Sequence, residues 1–435
     1  MRSLLIVFYC LVSALTIKAN GQDRLWKIQT TDYHGTYYGA TVANGGIGIL
    51  PWKEPFSIRH VMLNHVFDSA TPQDVSRVLR GINPFNLQMQ INGQTVNGDN
   101  ISGWEQCIDM KEATHNTHFI CDGKADVSYS ICALRNLPYA GLVRVEVTAL
   151  GDMYLTVSNP IEVPDEYKNI GSKLVNVNVN GNDIKIVRTW ALSKHREQKV
   201  SASSAFIYDK NSNVQQQYNG NGQISIPLKK GEKFFFTLLG AVCTGRDFID
   251  PYNEADREVI YGAKEGLARL MDGHQKLWDE MWKGDIVIEG DDEAQRAVRF
   301  ALYNLYSNAR KGSRLSIPPF GLSSQGYNGH IFWDTEFWMY PPMLFMNQGI
   351  ARTMMDYRTD RLEAACQKAL SYGYDGAMFP WESDDAGEEA CPTWALTGPF
   401  EHHITADIAI AAWNYYCMSG DQRWLREEGF PLSLI

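Results

Sequence analysis

The hydrophobic periodicity changes between QISIPLKKGEKFFFTLLGAV (residues 223–242) and NEADREVIYGAKEGLARLMDGHQKLWDEMWKG (residues 253–284), and this change separates two regions of different secondary structure. The first segment is typical of two strands joined at a Lys-Gly turn. In the second, Asn253 with Asp256 three residues later indicates a helix N-cap. Its apolar residues then recur at helical spacing, as Val259, Ile260, Ala263, Leu267, Leu270 and Met271 do.

Upstream of this change the chain has the pattern of β-strands. LQMQINGQTVN (residues 87–97) and LVNVNVNGNDIKIVRTW (residues 174–190) alternate around Asn-Gly pairs, at 92–93 and 180–181. Such pairs are strong hairpin signals. Since no helical run interrupts the pattern, we predict a large antiparallel β-sandwich over residues 23–249.

Downstream the pattern is helical. We predict linker helices over residues 250–290, ending in a short strand DIVIEG (residues 285–290). From residue 291 an apolar stripe marks the next helix, in a domain whose long, aromatic-rich loops carry the site. The stripe consists of Ala294, Ala297, Val298, Ala301, Leu302 and Leu305.

Further helices are predicted around residues 349–371 and 405–419, with Gly420 closing the second. About five helices then lie between residues 291 and 435. A closed helical barrel needs about twice as many, so we expect this domain to be incomplete.

Composition excludes several classes of protein. Hydrophobic residues make up 44% of the 435 residues and charged residues 21%, as in folded globular proteins of two to three domains. The net charge is −10 and no basic run occurs, which argues against nucleic acid as a partner.

The N-terminus predicts export. Arg2 precedes an apolar run over residues 4–17, followed by small and polar residues. This is the layout of a signal peptide, here residues 1–20, and the run is too short for a comfortable membrane span. We therefore expect a secreted or periplasmic protein without a stable membrane anchor.

The cysteines outside this segment give no support for a zinc site, because none forms a C-x-x-C pair. At most one disulfide is expected among Cys107, Cys121 and Cys132, and buried free thiols are the more common outcome. The remaining cysteines are Cys243, Cys366, Cys391 and Cys417.

The motif GHIFWDTEFWMYPP (residues 329–342) combines aromatic rings with carboxylates. Asp334 and Glu336 are two residues apart and face broadly opposite ways, so they form a poor acid/base pair. Asp334 can accept hydrogen bonds from sugar hydroxyls while Trp333 covers an apolar sugar face. The alternative is a core cluster with a capping aspartate.

A second motif, GAMFPWESDDAGEEACP (residues 376–392), repeats this pairing in Trp381 and Glu382. Its dense carboxylates are also compatible with a solvated loop or a calcium site, but the regular Asp-x-Asp-x-Asp-Gly order is absent. Two such pairs on consecutive loops indicate two adjoining sugar subsites.

A third motif, GPFEHHITADIAIAAW (residues 398–413), places Glu401, His402 and His403 before a helix that Thr405 would cap. The unpaired N–H groups of this helix start could bind an anion, a sugar hydroxyl or a capping group. Zinc is a weak third option because no spaced third ligand follows. Motifs of serine hydrolases, zincins and P-loop proteins are missing.

Taken together, GYNGHIFWDTEFWMYPP, FPWESDDAGEEACP and EHHITADIAIAAW, in this order behind a β region, resemble glycoside hydrolase family 65. That family contains maltose, trehalose and kojibiose phosphorylases as well as hydrolases. The hydrolase branch of the family is the one that this chain resembles most in two segments, GLSSQGYNGHIFWDTEFWM and FPWES. The resemblance covers nearly everything after the predicted signal peptide.

The resemblance implies a β-sandwich, linker helices and an (α/α)₆ barrel, here incomplete. It implies that Trp333 and Asp334 hold the non-reducing glucose and that Trp381 and Glu382 help to form the next subsite. His403 matches a histidine position in the motif that opens a barrel helix. No cofactor and no metal are expected, the partner is a small oligosaccharide, and a homodimer is one assembly that the family would allow.

The mechanism implied by the resemblance is inverting: a glutamic acid protonates the glycosidic oxygen while water or phosphate attacks the opposite face. That acid belongs to a PDEY-like motif, which we expect, with the base, beyond Ile435; the chain alone would then be inactive. The predicted signal peptide favours an α-glucoside hydrolase over a disaccharide phosphorylase. A non-catalytic carbohydrate-binding fragment is the third alternative.

Overall fold

The computed structural model describes most of the chain after the predicted signal peptide. The signal peptide itself and Asn180 of the second predicted hairpin lie outside the described residues. The described ranges are 23–69, 75–179, 181–209 and 212–433.

The main secondary structure of the described residues up to Thr244 is the β-strand. The first nine are β1 (Lys27–Thr30), β2 (Val42–Ala43), β3 (Ile47–Pro51), β4 (Ile58–Ser69), β5 (Ser76–Gly81), β6 (Gln88–Ile91), β7 (Gln94–Thr95), β8 (Ile101–Asp109) and β9 (Thr114–Cys121). The others are β10 (Ala125–Ala133), β11 (Ala140–Ala149), β12 (Met153–Asn159), β13 (Tyr167–Val179), β14 (Asn182–Ser193), β15 (Lys199–Tyr208), β16 (Gln215–Tyr218), β17 (Gly222–Leu228) and β18 (Lys233–Thr244).

These strands pair antiparallel in three sheets. Among the described residues the largest sheet has the order β1-β8-β9-β10-β11-β18-β15-β14-β13, and the others are β16-β17-β12-β6-β7 and β2-β3-β4-β5. Val127 and Ile131 of β10 share one buried core with Leu155 and Val157 of β12, which belongs to the second sheet. Two sheets therefore face each other across an apolar layer, and the predicted antiparallel sandwich is confirmed.

The first predicted hairpin has the expected turn. Ile91 pairs with Gln94, leaving Asn92 and Gly93 as a two-residue loop with φ values of 52° and 81°. Both residues take the left-handed conformation that such loops require. At the second hairpin, β13 and β14 pair up to Val179 and Asn182.

Two helices, α1 (Pro251–Glu265) and α2 (Leu267–Met281), follow the last strand. The N-cap of α1 is Asp250, not Asn253 as predicted, and its carboxylate accepts the N–H of Asn253. The helix starts earlier because Pro251 has no N–H to satisfy and suits the first helical position. Both helices pack on the outer face of the large sheet, where Val259 and Leu270 lie in one cluster with Leu142 and other sheet residues.

The strand predicted at residues 285–290 does not form; the segment is irregular. The side chain of Gln295 donates to the carbonyl of Ile286 and accepts from the N–H of Ile288, at 2.8 and 2.6 Å. A side-chain amide thus replaces a partner strand, so the prediction from local alternation was wrong.

The remaining helices confirm the change from β to α. The predicted helix at 349–371 is divided in two by a turn, and no helix in the described ranges is both long and apolar enough for a membrane span. The helices are α3 (Asp292–Asn308), α4 (Tyr340–Met346), α5 (Gln348–Thr359), α6 (Leu362–Ser371), α7 (His403–Ser419), α8 (Gln422–Trp424) and α9 (Phe430–Ser433).

Helix α7 begins two residues before the predicted cap. Thr405 lies inside the helix, and its hydroxyl accepts the backbone N–H of Phe379 at 3.1 Å instead of capping. At the other end Gly420 takes φ 65° and closes the helix, as predicted.

The cysteines within the described ranges are all free thiols, so the single disulfide left open among Cys107, Cys121 and Cys132 does not form. These three and Cys243 are buried. Burial raises the pKa of the Cys107 thiol to about 12. They behave as small apolar residues of the core.

Candidate functional site

The three sequence motifs meet in one place. Ile331 and Ser383 exchange two backbone hydrogen bonds of 2.9 Å, which ties the first motif to the second. Next to this bridge the rings of Phe332 and Trp381 meet edge to face at 5.6 Å. The structure therefore places the two Trp-carboxylate pairs on adjoining loops.

The third motif joins the first through aromatic contact. The rings of Trp333 and His403 lie 5.2 Å apart, nearly perpendicular. His403 Nδ1 is 2.7 Å from Asp407 and its Nε2 is 3.7 Å from Glu401. Two carboxylates thus flank a half-exposed imidazole beside Trp333, at the first residue of α7.

Asp334 and Glu336 have different environments. Asp334 is half-buried, and its carboxylate has no hydrogen-bond partner among the described residues, so its acceptor positions are open. Glu336 lies in the π-helical turn Thr335–Met339 and is buried. This confirms that the two carboxylates do not form an acid/base pair.

Glu336 forms an ion pair with Arg358 of α5, and both side chains are fully buried. The guanidinium donates two hydrogen bonds to the carboxylate, at 2.7 and 2.8 Å, and one to the carbonyl of Phe332 at 3.1 Å. Burial acts to lower the pKa of Arg358, but the Glu336 carboxylate outweighs it and the pKa is raised. This pair fixes the backbone just before Trp333.

Glu382 is not equivalent to Asp334. It is 4% exposed, and its carboxylate lies 2.8 Å from Nδ1 of the buried His330. The sequence suggested two similar hydroxyl-binding pairs, but one carboxylate is open and the other already has a partner. Contact between Glu382 and sugar stays a prediction.

The backbone under the second pair is held by Glu389. Its carboxylate accepts the N–H groups of Trp381 and Glu382, at 3.0 and 3.1 Å. Lys368 pairs with the same carboxylate and compensates its charge. Glu389 is therefore a structural clamp of this loop.

Asp384 has a similar structural role. One of its oxygens accepts the N–H groups of Ala386 and Glu388, and Arg196 lies 3.7 Å from the other. Within the described part of the chain no group of three or more His, Cys, Asp or Glu side chains is arranged to hold a metal ion.

The position of the Trp381 ring depends on the close approach of the loop that contains Gly398. A Cβ atom on Gly398 would lie 2.1 Å from the Trp381 ring. Glycine at this position lets the backbone at residue 398 approach the six-membered ring of the indole closely. Gly398 and Phe332 thus both contact the Trp381 ring and restrict its position.

Sequence reasoning missed the residues that support the site. His330 and Arg358 hold the two loops, yet neither motif indicates which carboxylate each one contacts. Ser76 of β5, which hydrogen-bonds His330, lies 254 positions away in sequence. No pattern in one sequence could have found this contact, because it depends on how the helical region docks on the sandwich.

We expected the PDEY-like motif only beyond Ile435, and this expectation is wrong as far as the sequence goes: Pro-Asp-Glu-Tyr occurs at residues 164–167, at the start of β13. There Glu166 accepts hydrogen bonds from Arg80 and Gln325, and the hydroxyl of Tyr167 donates to the carbonyl of Arg80. This copy is a structural contact of the sandwich with the loop before the first motif.

Comparison with family models decides the family. Residues 39–281 match the glycosyl hydrolase family 65 N-terminal domain, and residues 299–434 match the glycosyl hydrolase family 65 central catalytic domain. This chain belongs to glycoside hydrolase family 65. The family recognised from the three motifs is confirmed.

Among curated relatives, the family 65 chain is 41% identical over 404 residues to a kojibiose hydrolase of Flavobacterium johnsoniae, covering 91% of this chain and 59% of that protein. It is 36% identical over 430 residues to a kojibiose hydrolase of Mucilaginibacter mallensis, covering 97% and 64%. The chain thus spans about three fifths of the length of these relatives.

The fold has a solved counterpart. A putative kojibiose phosphorylase from human microbiome superposes with a TM-score of 0.77 at 15% identity, covering 94% of this chain and 58% of that one. The predicted order of a β-sandwich followed by a helical barrel region is therefore confirmed for the part that this chain contains.

Proposed function

We propose that this chain forms the sugar-binding part of an inverting α-glucoside hydrolase that acts on short α-glucosides such as kojibiose. In this proposal Trp333 and Asp334 hold the non-reducing glucose. Trp381, Glu382 and His403 line the neighbouring region, where the second sugar ring lies.

The observation that carries the proposal is the convergence of the three loops. The backbone bridge between Ile331 and Ser383 and the contact of Trp333 with His403 bring together residues far apart in sequence. Beside these rings the Asp334 carboxylate has open acceptor positions. An apolar ring face next to a free carboxylate fits a pyranose, which has apolar faces and hydroxyl groups around its edge.

Hydrolysis is favoured over phosphorolysis by the extent of the similarity. The two kojibiose hydrolases match over 404 and 430 residues, whereas a kojibiose phosphorylase of Thermoanaerobacter brockii matches over 186 residues at 39% identity. The predicted signal peptide points the same way, because a sugar phosphate released outside the cell would be lost. We accordingly propose a secreted or periplasmic protein.

Calorimetry with glucose and kojibiose tests the binding part of the proposal. We expect binding by the unaltered chain and a loss of about tenfold or more in affinity for Asp334→Asn and Trp333→Ala, since each removes a direct sugar contact. Trp413→Phe, on an exposed face of α7, is the matched control and should bind as the unaltered chain does. Equal affinity in all variants would contradict the assigned subsite.

An activity assay distinguishes a hydrolase from a phosphorylase and from a chain that only binds sugar. The chain is incubated at high concentration with kojibiose or trehalose, with and without phosphate, and the products are identified. With the acid and base predicted beyond Ile435, we expect binding without turnover. Release of glucose would show that this prediction is wrong and would support the hydrolase, whereas phosphate-dependent glucose 1-phosphate would support the phosphorylase.

A further inference from the structure

A buried row of polar groups connects Glu382 to the sandwich. Glu382 Oε2 lies 2.8 Å from His330 Nδ1, and His330 Nε2 lies 3.2 Å from the hydroxyl of Ser76 on β5. That hydroxyl is 3.2 Å from Asp384 Oδ2, and Arg196 lies beyond it. The row crosses from the helical region to the sandwich and back.

The row is enclosed. His330 has no exposed surface, and Ser76, Glu382 and Asp384 are each about 4% exposed. The ring of Phe67 stacks on the imidazole of His330 at 5.7 Å, with 10° between the planes. Because the imidazole is fully buried, its two nitrogens need hydrogen-bond partners within the row.

The hydrogen-bond partners along the row determine where its hydrogens lie. Asp384 accepts two backbone N–H groups and faces Arg196, so it is an ionised acceptor. Ser76 then gives its single hydroxyl hydrogen to Asp384, and its oxygen can only accept from His330 Nε2–H. Since Nε2 carries a hydrogen, the 2.8 Å contact between Nδ1 and Glu382 holds one further proton, and this proton belongs to Nδ1 when the Glu382 carboxylate is ionised.

We infer that Ser76 is a positioning residue of the sugar site: through its hydroxyl it keeps His330 protonated on both nitrogens, and the resulting imidazolium holds the Glu382 carboxylate in place. This inference deepens the proposed function and rests on it where Glu382 is said to meet sugar. The sandwich thereby contributes to the site through a residue that touches no substrate.

The physical reason is charge compensation in a buried place. A carboxylate with little exposure is stable when it is paired and hydrogen-bonded. A neutral imidazole would orient Glu382 but would not balance its charge. Ser76 decides between the two states because only an acceptor at Nε2 favours the doubly protonated ring.

Nitrogen NMR tests the protonation directly and needs no sugar. In chain labelled with ¹⁵N-histidine, the His330 signals are assigned by their loss in His330→Gln. We expect both ring nitrogens of His330 to be protonated in the unaltered chain at neutral pH. In Ser76→Ala one of them should change to the signal of an unprotonated nitrogen.

Sugar affinity tests the consequence. By calorimetry with glucose and kojibiose, Ser76→Ala should bind about tenfold to a hundredfold more weakly, which corresponds to the loss of one hydrogen bond to a charged group. Ser76→Thr retains the hydroxyl and should restore both the His330 signals and the affinity. Thermal melts establish that each variant is folded.

A neighbouring contact supplies the control. Arg77 is the next residue of β5 and donates to Asn328 across the same boundary at 3.0 Å, without touching His330. Arg77→Gln should leave both readouts unchanged. If Ser76→Ala keeps a doubly protonated His330 and binds within twofold of the unaltered chain, the inference is overturned; if the unaltered chain binds neither sugar while the His330 signals change as expected, the proposed function fails instead.

Discussion

The sandwich and the helical region stabilise themselves in different ways. Along β10 buried and half-buried residues alternate from Ala125 to Ile131, and Val127 and Ile131 lie in the core that is shared with the facing sheet. Helix α7 has apolar residues on both its buried and its exposed face: Ile404 and Ile408 are buried, whereas Ile410 and Trp413 are exposed. Further large apolar side chains of this region are exposed, among them Phe345, Trp394, Leu396 and Phe430.

The helical region compensates with buried charge. Glu336 with Arg358 and Glu382 with His330 fix the two loops that carry the site, and these pairs are almost fully enclosed. The comparison teaches that apolar burial decides stability in the sandwich, while the loops of the helical region depend on individual polar contacts. We therefore expect the sandwich to be destabilised most by substitution of buried apolar residues, and the loops of the helical region by substitution of buried charged residues.

The largest effect is expected at the buried ion pair. Arg358→Ala leaves Glu336 buried without its partner and should lower the free energy of unfolding by roughly 3–5 kcal/mol. Urea titration followed by circular dichroism measures it. Arg423→Ala is the control: this side chain is 82% exposed and pairs with Glu427 on the surface, so the loss should stay below about 1 kcal/mol. Equal losses would show that enclosure of the pair does not matter.

A matched pair of phenylalanines compares the regions directly. Phe119 has no exposed surface and lies 6.0 Å from the ring of Phe56, so Phe119→Ala should lower the free energy of unfolding by roughly 3–5 kcal/mol. Phe345 is 69% exposed, so Phe345→Ala should change it by less than about 0.5 kcal/mol while reducing the binding of an apolar dye. A large loss at Phe345 would mean that its face is covered in solution.

Helix α1, which follows the sandwich, should make the stability of the folded chain depend on pH. Burial, helped by the charge of Glu254, raises the pKa of Glu258 on α1 to about 7. The folded chain then keeps a proton that the unfolded chain has lost, so stability falls as pH rises from about 4.5 to 7.

Glu258→Gln removes this loss. In urea titrations the variant should exceed the unaltered chain by on the order of 2 kcal/mol at pH 8 and differ little at pH 5. Glu265→Gln is the control and should show no such difference: Glu265 is the last residue of α1, and its carboxylate pairs with Arg269 of α2. An equal change at both pH values would exclude titration of Glu258 as the cause.

The smallest effects on the free energy of unfolding are expected at two glycines, one in each region. Gly93 ends the hairpin turn at φ 81° and Gly420 closes α7 at φ 65°, and a Cβ atom at either would meet no neighbour within 4 Å. Alanine at each position should therefore lower the free energy of unfolding through backbone strain alone, by roughly 1 kcal/mol. If the two regions unfold separately, Gly93→Ala will shift one transition in a thermal melt and Gly420→Ala the other; a common shift would show one cooperative unit.

Prediction from sequence succeeded where local pattern and backbone preference agree. The Asn92-Gly93 turn and the Gly420 helix end formed as expected, and Asp334 and Glu336, two residues apart, have different surroundings. It failed where a distant partner intervened. Gln295 replaces a strand partner for residues 286–288, and Thr405 bonds Phe379 rather than the start of its helix.

The amino-acid sequence is enough to give the order of β and α regions, the family and the motifs of the site, because periodicity, turn residues and short motifs are encoded in neighbouring positions. It takes the folded chain to show that Asp334 is open while Glu382 is paired with His330, and that Ser76 of the sandwich completes this contact. A carboxylate's surroundings depend on which distant segments enclose it, and charges out of water must be balanced by whatever the fold brings next to them.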